Sequence, residues 1–433
     1  MKTLTRLFGF DPRTMRVKTE VMAGVTTFLT MSYILAVNPD MLSAAAMDKG
    51  GVFTATALAA AVATLLMAVL AKLPFALAPG MGLNAFFAYT LVQVMGFSWE
   101  QALTAVFIEG IVFILLTLFN VREMIVNAIP ACLRQAISVG IGLFIAFIGL
   151  KNAGIVVSDP VTFLALGRFT PSAVLAMTGI VLGGVLLARR VKGALFYVIL
   201  VCTLIGIPLG ITRIPENFSP VSLPHSLEPV FLKFDFHALW DPDMLIAIFS
   251  LIFMDIFDTL GTLVGTANKV GMVEPDGKIP RIKKALLADA IGTTAGAVLG
   301  TSTTTTYAES AAGIAEGGRS GLMAFTVTLL FLVSLFFAPL FLLVPSVATA
   351  GVLVIVGVFM FDAVGKVDFE DMTEVLPAFI TILMMPLTYS IAEGIVLGML
   401  SYTFLKVLSG RYRDLNPVMY VLSLLFILKY IFV

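Results

Sequence analysis

The chain has 433 residues, of which 59% are hydrophobic and only 12% are charged, with a mean hydropathy of +1.03. A soluble domain of this length carries about twice that share of charge, so most soluble folds and disordered chains are excluded. Lys plus Arg equals Asp plus Glu, 27 each, so no excess positive charge indicates a nucleic-acid partner. Repeated apolar runs near twenty residues are long enough to span a bilayer and predict an all-α polytopic membrane protein.

Fourteen apolar segments follow one another along the chain. Basic and polar residues 1–19 precede the first, and no small-residue cleavage site follows it, so we interpret it as a span and not a signal peptide. A further apolar stretch, Val418–Val433, is either a fifteenth span or a helix lying on the others. The fourteen segments lie at about 20–38, 52–71, 74–95, 99–119, 134–150, 171–188, 193–211, 242–265, 284–300, 301–320, 321–343, 346–361, 373–389 and 391–408.

The distribution of basic residues predicts the orientation. With the N-terminus in the cytoplasm and fourteen alternating spans, 21 of the 27 Lys and Arg residues fall inside and five outside. This is the asymmetry that the positive-inside rule expects. We therefore predict a multi-pass protein of the plasma (inner) membrane with a cytoplasmic N-terminus.

Two of the segments are interrupted, and they hold the same position in the two halves of the chain. The third contains Pro74–Asn84, with two prolines and two glycines, and the tenth contains the polar, β-branched run Gly300–Tyr307. Paired interruptions are typical of a transporter site between inverted repeats. We predict a first repeat at 1–211, an external linker at 212–241, a second repeat at 242–410 and an apolar tail at 411–433.

Broken backbone at membrane depth needs partners, because lipid cannot satisfy bare N–H and C=O groups. Two short extended pieces, one in each broken segment, would satisfy most of those groups by pairing with each other. Thr301–Thr306 has the composition of a strand. We expect a half-helix after each piece, with its N-terminal N–H groups offered to a polar ligand.

Three carboxylates within apolar segments are candidate site residues. Asp255 and Asp258 are three residues apart and share a helical face, with Thr262 one turn further on, and Glu309 follows the threonine run. No Lys or Arg stands at matching depth, so these acids are expected to bind a cation, take up a proton or accept hydrogen bonds from a substrate. We assign Asp258 and Glu309 to substrate binding and coupling, and Asp255 to proton handling.

Two other membrane acids, Glu109 and Asp289, fit a functional role and simple pairing with backbone or hydroxyl groups equally well.

Polar and aromatic side chains beside the two interruptions complete the predicted substrate site. Asn84 offers amide donors and an acceptor, which suit the edge of a heterocycle. Phe86 and Tyr307 are candidates to stack on a flat ligand, although core packing is the default for any one Phe among 35. Thr305, within the predicted strand, joins them.

No pattern for catalysis or metal binding is visible. Cys132 and Cys202 fall in different apolar segments, and His225 and His237 share a polar loop. Without a nucleophile–base pair or a Cys/His cluster, we predict neither an enzyme nor a cofactor or metal site.

Four stretches of the sequence resemble a known family. Glu20–Tyr33, Ala78–Phe87, Asp258–Asn268 and Thr304–Gly313 are similar to signatures of the nucleobase–cation symporter-2 (nucleobase–ascorbate transporter) class, in its AzgA-like branch of adenine, guanine and hypoxanthine permeases. The resemblance covers essentially the whole chain.

The resemblance implies a fold of seven plus seven inverted repeats with a core domain, 20–120 plus 242–343, and a gate domain, 121–211 plus 346–410. The substrate would lie between the short strands, with Asp258 and Glu309 at the family's acidic positions and Asn84 at a polar position important for purine transport. The uracil branch of the wider family has a His four residues after the acid of segment eight, where this chain has Thr262. That departure shifts the expected proton coupling to the carboxylates.

The function these features predict is import of purine nucleobases by proton symport with alternating access. Carboxylates serve Na⁺ as well, so sodium coupling stays open, and a homodimer would help to anchor a stationary gate domain. Alternatives are an inorganic-anion transporter or exchanger of the same architecture, which would want a cation at the site, and a pyrimidine, xanthine or ascorbate carrier.

Overall fold

The computed structural model describes residues 2–119, 130–215, 218–269, 272 and 281–432. In this part of the chain, each of the fourteen predicted segments contains a helix. The elements of the first half are α1 (Lys2–Phe8), α2 (Val17–Met31), α3 (Ile34–Ser43), α4 (Lys49–Leu66), β1 (Leu77–Pro79), α5 (Met81–Ala85), α6 (Trp99–Leu118), α7 (Ala131–Asn152), β2 (Val156–Asp159), β3 (Phe163–Leu166), α8 (Pro171–Ala188) and α9 (Ala194–Gly206).

The second half of the chain, like the first, contains a short strand followed by a half-helix. Its elements are α10 (Pro242–Lys269), α11 (Ile282–Leu299), β4 (Thr304–Thr306), α12 (Ser310–Ala315), α13 (Gly321–Ser334), α14 (Ala338–Leu342), α15 (Ser346–Phe361), α16 (Met372–Leu387), α17 (Ile391–Leu408) and α18 (Pro417–Phe432). Helix α4 continues as a π-helix through Met67–Ala71, and α5 continues as one through Phe86–Val94.

The predicted class, an all-α membrane protein with short strands in segments three and ten, is confirmed. Seven of the described helical stretches are both long and apolar enough to cross a bilayer. The remaining segments fall short of that test in different ways, and segments three and ten do so because their helices are interrupted by β1 and β4.

Side-chain caps fix where several of these helices begin. Asp48 precedes α4 and accepts a hydrogen bond from the Gly51 amide at 2.6 Å. Ser98 and Gln101 form a reciprocal capping box at the start of α6. Thr170 caps α8, and Pro171 occupies its first turn, where a backbone N–H has no intrahelical partner.

The helices pack as two groups. In one group, α11 packs against α4 and α6, and α13 packs against α2 and α4. In the other, α7 packs against α15 and α16, α8 packs against α9 and α15, and α16 packs against α17. The predicted start of the gate domain at residue 121 lies outside the described residues. Close contact between the groups includes Gly82 of α5, where an added Cβ would meet the Ile141 side chain of α7 at 2.6 Å.

Two local features were not predicted from the sequence. The half-helix α12 has only six residues, because Gly317 adopts a left-handed conformation (φ +107°) and ends it. The loop after α7 contains the antiparallel hairpin β2–β3, in which Val156 is paired with Leu166 and Asp159 with Phe163.

The C-terminal apolar stretch forms α18, which packs on the second half of the chain. The Thr403 and Ser423 hydroxyls lie 2.8 Å apart between α17 and α18. The Phe426 ring contacts the Phe249 ring of α10 edge-on, with centroids 6.0 Å apart.

Candidate functional site

The two interrupted segments meet as a two-stranded antiparallel ladder inside the protein. Strand β1 pairs with β4 so that Ala78 faces Thr305. Hydrogen bonds of 2.9 Å extend the ladder at both ends, from the Gly80 amide to the Thr303 carbonyl and from the Tyr307 amide to the Ala76 carbonyl. In this alternation Pro79 falls at a position that turns away from the partner strand, where its missing N–H costs nothing.

Threonines from neighbouring helices satisfy the outer edges of this ladder. Thr64 of α4 donates to the Leu77 carbonyl at 3.0 Å and accepts from the Leu77 amide at 2.9 Å. Thr293 of α11 donates to the Thr304 carbonyl at 3.0 Å. The strands are therefore stable at membrane depth, because threonine side chains hydrogen-bond the backbone groups at their edges in place of water.

Replacing Thr64 tests this edge. Thr64→Val keeps the shape of the side chain but leaves the Leu77 N–H and C=O without their hydroxyl partner. We expect a loss of about 1–3 kcal/mol in the free energy of unfolding, measured by denaturant unfolding in detergent. Thr178→Val is the matched control, since the Thr178 side chain is exposed and its hydroxyl bonds only within its own helix. Equal stability of the two variants would contradict the role given to Thr64.

Two acidic residues at the ladder are not fully buried. Asp258 of α10 and Glu309, which immediately precedes α12, are half-buried, and Ala308 next to Glu309 is exposed. A Cβ on Gly80 would lie 3.3 Å from Asp258 Oδ2, so this acid stands directly over the junction of β1 and α5. Asp258 also hydrogen-bonds Thr305 and lies within electrostatic range of Glu309. The prediction that these two acids adjoin the broken segments agrees with their positions.

Two further acids near the ladder, Asp255 and Asp289, are shielded from solvent. Asp255 and Asp289 are both fully buried, and each contacts the Thr259 hydroxyl, at 2.8 Å and 3.2 Å. That hydroxyl lies 2.9 Å from the hydroxyl of Thr305. Asp255 is therefore linked to the ladder through Thr259 and also lies within electrostatic range of Asp258, and its proton-handling role stays a prediction.

Glu109 of α6 contacts the loop before β4. It is fully buried and accepts a hydrogen bond from the Thr303 hydroxyl at 2.6 Å. This contact corresponds to the hydroxyl pairing that the sequence allowed for this residue.

Asn84 is fully buried in α5, and its Oδ1 accepts a hydrogen bond from the Ser302 hydroxyl at 2.5 Å. Its Nδ2 has no hydrogen-bond partner among the described residues. The amide acceptor is thus already occupied within the protein, and a ligand would meet the amide as a donor.

The aromatic candidates differ in their surroundings. Tyr307 is 5% exposed, and its hydroxyl donates to the Pro79 carbonyl at 2.6 Å, which holds the ring across the ladder. Phe86 is 1% exposed and belongs to the main hydrophobic cluster. Stacking of either ring on a ligand stays a prediction.

Sequence reasoning gave no role to three residues that shape this site. Tyr33 lies between α2 and α3 and donates to Glu309 Oε1 at 2.8 Å. Ser302 orients Asn84, and Ser310 accepts the Ala76 amide at 3.0 Å. The one available signal was a polar pair, Ser32 and Tyr33, in the middle of an apolar segment.

Comparison with known proteins places this chain in a family. The profile of the Permease family (Xan_ur_permease) matches residues 18–397. Adenine permease AdeP of Escherichia coli is 44% identical over 431 residues, covering 99% of this chain and 96% of that one. Guanine/hypoxanthine permease PbuG of Bacillus subtilis is 43% identical over 444 residues, covering all of both chains.

A solved structure shows the same fold. The transmembrane domain of the cyanobacterial bicarbonate transporter BicA superposes with a TM-score of 0.66 at 18% identity, over 90% of this chain and 98% of that one. The relatives carry the names of permeases and not of enzymes, which confirms the prediction of a multi-pass membrane transport protein. The chain belongs to the Permease family, within the nucleobase–ascorbate transporter class that its motifs resemble.

Proposed function

We propose that this protein imports purine nucleobases by proton symport. The observation that carries the proposal is the antiparallel pairing of β1 with β4, beside which two partly exposed acidic residues, Asp258 and Glu309, lie within electrostatic range of each other. Relatives that are more than 40% identical over the full chain carry the names of adenine and guanine/hypoxanthine permeases.

The chemistry of the site suits the edge of a purine. Asp258 and Glu309 accept hydrogen bonds from ring and exocyclic N–H groups, while the first N–H groups of α5 and the Nδ2 of Asn84 donate to a ring nitrogen or carbonyl. Two carboxylates would repel an inorganic anion, and no Lys or Arg is recorded in contact with either of them in the described chain. The anion-exchanger alternative therefore finds support only in the shared fold.

Proton coupling follows from the same pair of acids. A proton bound by one carboxylate removes the repulsion between the two negative charges and supplies a donor to the substrate. Asp255, linked to the ladder through Thr259 and Thr305, is a route by which a proton reaches or leaves the pair.

Alternating access would use the two packing groups of helices as a core and a gate. Their polar contacts include Asp40 of α3, which accepts hydrogen bonds from Ser346 and Thr349 of α15 at 3.1 and 3.3 Å. They also include the ion pair of Lys192, before α9, with Glu316, after α12. Relative movement of the groups would exchange contacts of this kind while the β1–β4 ladder moves as a unit with the core.

The proposed location is the plasma membrane, with the N-terminus in the cytoplasm. Basic groups of separate segments meet at one end of the molecule, where Lys72 donates to the Arg6 carbonyl at 2.6 Å and Arg281 donates to the Ala71 carbonyl at 3.4 Å. Such grouping is what the positive-inside rule expects of the cytoplasmic face.

Reconstitution into proteoliposomes tests the coupling ion. We expect radiolabelled hypoxanthine to accumulate when the inside is alkaline, and the accumulation to collapse when a protonophore is added. A sodium gradient imposed at equal pH on both sides is the control and should drive no accumulation. Accumulation driven by the sodium gradient alone would contradict proton coupling but would leave the proposed substrate site unaffected.

A further inference from the structure

The geometry points to Tyr33 as a positioning residue that sets the Glu309 carboxylate for substrate. The inference rests on the proposed function, since it assigns a task to Tyr33 only if Glu309 meets the substrate. It concerns a residue in the first apolar segment, far from Glu309 in sequence.

A break in the first segment brings Tyr33 to the ladder. Helix α2 ends at Met31 and α3 begins at Ile34, so Ser32 and Tyr33 form a turn between two helices. The Ser32 hydroxyl donates to the Leu29 carbonyl at 3.2 Å, and that of Thr30 to the Thr27 carbonyl at 2.8 Å. Hydroxyl bonds of this kind compete with the helical pattern and bend helices.

Tyr33 is almost fully buried, and its hydroxyl has a defined partner. It is 2% exposed and donates to Glu309 Oε1 at 2.8 Å. Among the described residues, Tyr33 is the side chain that donates a hydrogen bond to the Glu309 carboxylate. The acid itself follows the exposed Ala308 and is half-buried, and its side chain is held by Tyr33.

A second contact fixes the tyrosine ring. The Tyr33 and Tyr307 rings lie 6.4 Å apart between centroids, tilted by 41°. Tyr307 is in turn held by its hydrogen bond to the Pro79 carbonyl. Tyr33 and Tyr307 together thus link the first, third and tenth segments beside the carboxylate.

In this arrangement the two oxygens of the Glu309 carboxylate have different roles. One oxygen is satisfied by a donor from the protein, which restricts rotation of the carboxylate before a substrate arrives. A preorganised acceptor binds more tightly than one that must be ordered on binding. Without the Tyr33 hydroxyl the carboxylate loses its fixed direction.

A double-mutant cycle on the purified protein tests the assignment. The affinity for radiolabelled hypoxanthine is measured for the wild type, Tyr33→Phe, Glu309→Gln and the double variant. We expect Tyr33→Phe to weaken binding about tenfold in the wild-type background, as for loss of a hydrogen bond to a charged group. In the Glu309→Gln background it should change the affinity by less than about twofold, because the group it positions is already altered.

The control is Tyr402→Phe, a buried tyrosine of α17 in the other helix group, whose effect should be the same in both backgrounds. Equal effects of Tyr33→Phe in both backgrounds, or loss of its folded peak in gel filtration, would overturn the assignment in favour of a purely structural role. Failure of the wild type to bind hypoxanthine would instead reject the proposed function, so the two failures are distinct.

Discussion

Glu309→Gln is expected to abolish accumulation of purines against a gradient. The amide keeps the size of the side chain but cannot take up a proton, and it presents a donor where the carboxylate presents only acceptors. Loss of a charge-assisted hydrogen bond together with the coupling proton should reduce initial uptake by about 10- to 100-fold or more. Uptake of radiolabelled hypoxanthine in cells with matched amounts of membrane-inserted protein measures the effect.

The control for this substitution is Glu370→Gln. Glu370 is exposed in the loop before α16, so uptake by this variant should equal that of the wild type. Full accumulation by Glu309→Gln would remove both the binding role and the coupling role from this residue.

Gly80→Ala is expected to have an effect of similar size without changing any charge. Gly80 joins β1 to α5, and its backbone is extended (φ −76°, ψ 130°), so its conformation does not require glycine. Glycine is required for steric reasons instead, because a Cβ at this position would lie 2.5 Å from Thr305 Cγ2. The two strands cannot easily move apart to relieve this contact, because the Gly80 amide donates a hydrogen bond to the Thr303 carbonyl at 2.9 Å.

The added methyl group should push β1 away from β4 and displace Asp258, whose Oδ2 would lie 3.3 Å from it. Overpacking of this kind costs about 1–3 kcal/mol, and displacement of the acid should lower uptake at least about tenfold. The control is Gly184→Ala on α8, where a Cβ would meet no atom within 4 Å. Indistinguishable uptake and thermal stability of the two variants would show that the ladder tolerates separation.

The sequence was sufficient to predict the paired strands because their cause is local. Prolines and glycines within Pro74–Asn84 and consecutive threonines before Tyr307 exclude smooth helices, and membrane burial then requires that the exposed backbone be paired. Glu309 closely follows the threonine run in the sequence, whereas the position of Asp258 beside the ladder was implied by the family resemblance. The half-helix after β4 was predicted, but its short length was not, because its end depends on the left-handed conformation of Gly317.

Features that depend on partners distant in sequence could not be predicted. Spacing alone placed Asp255 and Asp258 on one helical face, yet Asp255 is drawn to Thr259 and shares that hydroxyl with Asp289 of α11. The same holds for Tyr33, whose partner Glu309 lies 276 residues away. A single sequence contains no information on such pairings beyond the polarity of each residue.

The central claim is that the acids at the β1–β4 ladder bind a purine base for transport. Uptake of radiolabelled hypoxanthine in a bacterial strain deficient in purine uptake tests it most directly, with unlabelled adenine, guanine, xanthine, uracil and sulfate as competitors. We expect uptake that purines inhibit and that sulfate and uracil leave unchanged, and we expect Asp258→Asn and Glu309→Gln to remove it. No purine uptake by a wild-type chain shown to reach the membrane, or uptake inhibited by sulfate, would contradict the claim.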